Sequence, residues 1–180
     1  MDFVTISKNK KISLASMAVA INLIGGLIAF TLRLPIYMDS LGTVMIAFLF
    51  GPIWGAAVGL LSSLVNGILF DYYSFFFLPA QVLLGLLVGS LKGLQTGSFA
   101  KKCLLTLVVS LPVSVVSAII AAKVFGTITS SGSSYIVQIL RVWGLPDVSA
   151  VFLVQFITDY ADKLFAVLFA SDIVRRLKKR

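Results

Sequence analysis

Five small residues, Gly51, Gly55, Gly59, Ser63 and Gly67, recur at every fourth position through the apolar run GPIWGAAVGLLSSLVNG. At helical pitch they fall in one stripe, along which a second helix backbone can approach closely. Packing of this kind belongs to lipid, where small residues replace hydrophobic burial as the means of association. Immediately upstream, Arg33, Tyr37, Asp39 and Ser40 sit between two apolar runs. A charge placed there must find water, a partner or a ligand.

The wider chain is consistent with that solvent. Of 180 residues, 59% are hydrophobic and only 12% charged, against about a quarter charged in soluble domains. An integral membrane protein is therefore expected. About 20 apolar residues cross a bilayer as a helix, so six spans would occupy about two thirds of the chain and leave no room for an extramembrane domain. Asp2 and the basic residues Lys8, Lys10 and Lys11 precede a small-residue helix of full spanning length, so a cleaved signal peptide is not expected.

The reading is an all-α membrane protein, a compact bundle of six transmembrane helices forming one domain over residues 1–180, with spans at 12–32, 40–50, 52–70, 75–94, 103–125 and 146–174. In the first span Ala15, Ala18, Asn22, Gly25 and Ala29 form a seam of small residues, while Ser16 and Ala20 make a close pair on another side. The second span is short and ends at Gly51-Pro52. Gly85, Gly89 and Gly93 form a second stripe in the fourth span; Ser114, Ala118 and Ala122 form a third in the fifth, where Pro112 should produce a kink. The segment from Gly126 through Trp143 reads as the longest loop.

Orientation follows from the cations. With six spans both termini and the loop between the fourth and fifth spans share one side, and they carry Lys8, Lys10, Lys11, Lys92, Lys101, Lys102, Arg175, Arg176, Lys178, Lys179 and Arg180. By the positive-inside rule that side is cytoplasmic, in a multi-pass protein of the cell membrane. The opposite side holds Arg33, Lys123 and Arg141 against Asp39, Asp71 and Asp147. The net charge of +8 is thus a matter of topology, and no nucleic-acid partner is expected.

One cysteine, Cys103, and no histidine exclude a disulfide framework, a Cys/His zinc site, haem ligation by histidine and a histidine-based triad. No Walker-type loop is present, so the chain does not itself use ATP by that route. Neither an enzyme nor a cofactor or metal site is expected; transport or binding remains. The outer loops collect Arg33, Tyr37, Asp39, Asp71, Tyr72, Tyr73, Tyr135, Arg141, Trp143 and Asp147, flat faces and fixed charges of the kind that orient a small polar ring. An interfacial aromatic belt is the alternative for any one of them. Gln155, Asp159, Asp162 and Lys163 lie near the middle of the last span, where charges face a cavity or a partner. Asp159 and Lys163, one turn apart, either neutralise each other or form the floor of a pocket. Gln81, Asn22 and Asn66 are further hydrogen-bonding groups at depth.

The stretch LPIYMDSLGTVMIAFLFGPIWGAAVGLL, with its D-S-L-G-T and G-P-x-x-G-A-x-x-G elements, and the D-Y-A-D-K of the last span resemble the substrate-binding S components of energy-coupling factor (ECF) vitamin transporters. The resemblance implies a chain that binds a vitamin from outside and joins a transmembrane T subunit and two cytoplasmic ATPase subunits, toppling in the bilayer to release its load. It implies a lid formed by Arg33 to Asp39 and ligand contacts from Gln81, Asp159 and Lys163. The family's AxxxA contact motif is matched here as Ser16-xxx-Ala20. The branch most resembled is that for pyridoxine or hydroxymethylpyrimidine, with riboflavin, pantothenate and cobalamin carriers as rivals. A self-sufficient small-solute channel or proton-coupled carrier using Asp159, Asp162 and Lys163 as a relay is the other class of reading.

Overall fold

Residues 6–125 and 132–179 are described in the computed structural model. The threonine- and serine-rich run 126–131 and the chain ends, with Asp2 and Arg180, lie outside them. The described residues form seven α-helices and no strands: α1 Lys8–Thr31, α2 Leu41–Phe50, α3 Pro52–Leu69, α4 Leu78–Ser90, α5 Phe99–Phe125, α6 Ser133–Val142 and α7 Asp147–Lys179. Single 3-10 turns, Tyr72–Phe75 and Lys92–Thr96, follow α3 and α4.

The short helix α2 sits at the centre, packed on α1, α3, α4 and α7. Seven of its ten residues are buried, among them Val44, Ile46 and Phe48. Around it Val58, Leu84, Val88, Leu105, Val109 and Val167 complete the main core. Gly51 ends α2 at φ 94°, a conformation disfavoured for residues with a Cβ, and Pro52 opens α3 with φ already set for a helix.

The distribution of side chains is that of a protein in lipid. Met17, Ile24, Ile53, Ile68, Leu111, Ile119 and Ile157 point outward, while Asn22, Thr43, Gln81, Asp159 and Lys163 are buried. Helices α1, α3 and α5 are each long and apolar enough to cross a membrane, and α2 and α4 are shorter apolar helices. Asn22 shows how buried polar groups are satisfied: its amide donates to Thr43 Oγ1 and Ser62 Oγ, both at 2.9 Å, and its Oδ1 accepts from Gly42 N at 2.7 Å. One side chain thereby ties α1, α2 and α3 together where no water competes.

The ladder of small residues packs inside the bundle. A Cβ on Gly59 would strike the Gln81 backbone, and one on Gly85 would strike the backbone of Gly55 and Ala56, so α3 and α4 meet nearly backbone to backbone. Gly93 departs from the expected stripe, because α4 stops at Ser90 and Gly93 lies in the following turn with open space around it. The inner seam of α1 faces α2: Ala18 and Asn22 are fully buried and Gly25 lies against the Met38 carbonyl, whereas Ser16 and Ala20 are exposed. The expected long loop contains α6, which buries Ser133, Ser134 and Val137 and exposes Tyr135, Ile139 and Val142. At ten residues it is too short to read as a span, and its Gly/Ser-rich approach masks its helical period. Pro112 lies within a continuous α5.

Candidate functional site

The charges of α7 form one cluster. Asp159, Asp162 and Lys163 are all buried. Lys163 Nζ donates to Asp159 Oδ1 at 3.2 Å and to Asp162 Oδ2 at 3.0 Å. Ser114 of α5 donates to Asp159 Oδ2 at 2.9 Å. Asp162 reaches the connection between α1 and α2, accepting from the Met38 amide at 2.9 Å and from Ser40 Oγ at 3.2 Å. A lone buried charge would be costly; paired and hydrogen-bonded on several sides, these three are held in place and cross-link α7 to α5 and to the α1–α2 connection.

That connection is firmly seated. Arg33 and Met38 have positive φ, 50° and 52°, uncommon for residues with a side chain. The Leu34 carbonyl accepts from Gly132 N at 3.2 Å, and Arg33 Nη1 donates to Tyr135 OH at 2.7 Å. The start of α6 therefore closes on the connection from one side while Asp162 holds it from below.

Beneath it lies a partly open cavity lined by polar and aromatic side chains. Tyr37 and Asp39 of the connection form its roof, with Asp71 and Ser74 beside them. Ser63 of α3, Phe77 and Gln81 of α4 and Ser117 of α5 form the walls, and Gln155, Asp159 and Lys163 of α7 the remaining side and floor. Gln81 is placed by the close α3–α4 contact, since its carbonyl packs where Gly59 lacks a side chain. Burial pushes the Asp39 carboxyl up to about 6, opposed by the Lys163 charge and by the neighbouring Gln81 side chain. A second cavity adjoins it, sharing Tyr37, Asp39, Asp71 and Ser74 and adding Asn66.

Of the residues singled out from sequence, the fold brings Tyr37, Asp39, Asp71, Gln81, Gln155, Asp159 and Lys163 to the cavity, and Asn66 to the one that adjoins it. The others lie elsewhere. Arg33 is exposed and bonded to Tyr135; Tyr72 is exposed and meets Phe75 and Phe76 edge-on; Arg141 pairs with Asp147 at 2.6 Å; Trp143 is exposed at the end of α6. Ser74, Phe77 and Ser117 line the cavity without having stood out in the sequence, and Ser63, read there only as a packing residue of the ladder, lines it as well. A signal for Ser117 existed: Thr106, Ser110, Ser114 and Ser117 are all buried and follow helical spacing along an otherwise apolar α5. Asp162 lies outside the cavity lining and instead ties the connection in place.

A cavity with charged groups at depth, roofed by the connection of the first two helices in an inside-out helical bundle, is what a solute-binding membrane component requires. The family model described as "ECF transporter, substrate-specific component" matches residues 10–179. The chain belongs to the ECF transporter substrate-specific component family. S components are membrane proteins that bind small substrates and work with T and ATPase modules. Neither the curated proteins nor the solved structures contain a significant match to this S component.

Proposed function

We propose that this S component captures a small water-soluble vitamin from outside the cell, with pyridoxine or hydroxymethylpyrimidine as the lead substrate, and delivers it inward with a T subunit and two cytoplasmic ATPase subunits. Helices α1 to α5 and α7 cross the membrane with both termini cytoplasmic, in keeping with the basic residues at the two ends and beside α5. ATP hydrolysis falls to the partner subunits, and the chain itself catalyses no reaction. The residues from Arg33 to Asp39 act as the lid.

The observation that carries this reading is the cavity between the lid and the Asp159–Lys163 floor. Tyr37 and Phe77, their ring centroids 6.2 Å apart, offer apolar faces to a small ring, and Asp39, Gln81 and Gln155 offer polar partners to hydroxymethyl and ring-nitrogen groups. The test is titration of the purified chain with the water-soluble vitamins by calorimetry, followed by pull-down of T and ATPase subunits. Tight binding of one vitamin and ATP-dependent uptake only in the assembled complex support the proposal. Uptake by the chain alone in liposomes, following a pH gradient without ATP, would overturn it in favour of a self-sufficient carrier.

A further inference from the structure

The cavity has an electrical sign. Among the described residues lining it, Lys163 is the one cation, and Asp39, Asp71 and Asp159 are carboxylates. Lys163 is already bound to Asp159 and Asp162. Two of its three N–H bonds are thus directed at protein carboxylates, and its charge is shared between them. Lys163 is therefore largely unavailable as a partner for an anionic ligand.

The unmet hydrogen-bonding groups have a sign as well. Gln81 is buried to more than nine tenths, and its Oε1 has no partner. It lines the cavity beside Asp39, so that carbonyl oxygen is open to a donor from a ligand. Asp39 Oδ1 is likewise buried without a partner. In the adjoining cavity Asn66 donates to Ser74 Oγ at 2.6 Å, and its own Oδ1 is unpartnered. All three are acceptors, and buried acceptors left unmet are costly unless a ligand or water supplies donors.

We infer that the ligand of this cavity is a heteroaromatic ring carrying N–H or O–H donors and a positive or protonatable group, and that carboxylate-bearing compounds are excluded. This rests on the cavity being the substrate site. An amino or aminomethyl group directed at Asp39 and Gln81 would meet both free oxygens and balance the surplus of carboxylates. A carboxylate in the same place would face Asp39 and find Lys163 already held by two competitors.

The test is calorimetric titration of the full chain in nanodiscs with a panel in two classes. Pyridoxamine, pyridoxine, thiamine and 4-amino-5-hydroxymethyl-2-methylpyrimidine supply donors or positive charge; 4-pyridoxate, nicotinate, pantothenate and biotin supply carboxylates. The expected result is that the tightest binder comes from the first class, exceeding every carboxylate by about 100-fold or more. Where the ring is that of pyridoxine, the order is pyridoxamine, then pyridoxine, then 4-pyridoxate. For an amine ligand, Asp39→Asn weakens binding about tenfold or more. A tightest binder from the carboxylate class overturns the inference and leaves the vitamin-binding reading standing. Binding of no compound in either class overturns that reading, and this inference with it.

Discussion

The amide of Met38 donates to Asp162 Oδ1 at 2.9 Å, across 124 positions of sequence, and the same carboxylate bonds Lys163. The roof of the cavity and its floor are therefore parts of one hydrogen-bonded unit. An opening of the α1–α2 connection must break bonds to Asp162, and any disturbance of Lys163 is felt at the connection.

Ser40→Ala removes the Ser40 Oγ bond to Asp162 and keeps the Met38 bond. Loss of one hydrogen bond to a charged acceptor is worth about 1.5 kcal/mol or more, so the ligand's dissociation rate should rise about tenfold. Stopped-flow fluorescence of the chain with its ligand measures this. An unchanged rate would show that the connection does not open during release.

Lys163→Ala leaves Asp159 and Asp162 without their cation in a buried setting, a change that costs about 3–5 kcal/mol when one partner of a buried pair is removed. Thermal unfolding in detergent should fall sharply and ligand binding with it. The combined variant Asp159→Asn, Asp162→Asn, Lys163→Met removes the stranded charges and should recover much of the stability. Recovered stability with lost binding assigns the cluster to the ligand; recovery of both makes it an internal ion pair alone.

Gly85→Ala drives a methyl group into the backbone of Gly55 and Ala56. Parting α3 from α4 should lower stability by about 1–3 kcal/mol and weaken ligand binding, because Gln81 is carried on the displaced helix. Gly93→Ala meets open space and should stay within about 0.5 kcal/mol of the parent. Differential scanning fluorimetry of the two variants side by side checks the contrast; equal melting temperatures would contradict it.

Ser16→Leu and Ala20→Leu enlarge side chains on the exposed side of α1, away from the cavity. They should impair association with the T and ATPase subunits, since a bulky residue blocks close helix approach. Ligand affinity of the isolated chain should remain within about twofold, as expected for sites that share no partner. Co-purification yield and calorimetry provide the two readouts, and loss of ligand binding would place the effect within the bundle instead.

Much of the site was legible before any coordinates, because charge in an apolar chain is conspicuous. Asp159 and Lys163 stood out in the last span, and Asp39 and Tyr37 between the first two, for the reason that lipid makes each of them expensive. Ser63, Ser74 and Ser117 were not legible in the same way, since a hydroxyl can return its proton to its own helix backbone and so costs little anywhere. Arg33, Tyr72, Arg141 and Trp143 share the loops with Tyr37 and Asp39 but not the cavity, and nothing in local sequence separates the two sets.

The sequence by itself determined the solvent, the helical class and the stripes along which helices could touch, because these depend on composition and on a period of four residues. It also showed that α1 has two usable faces. Only the tertiary structure decided that the glycine ladder of α3 is spent inside the bundle against α4, that Ser16 and Ala20 remain outside, and that Lys163 is held by Asp159 and Asp162 together. Periodicity places a residue on a side of its helix, whereas the partner on that side depends on packing between segments as far apart in sequence as Met38 and Asp162.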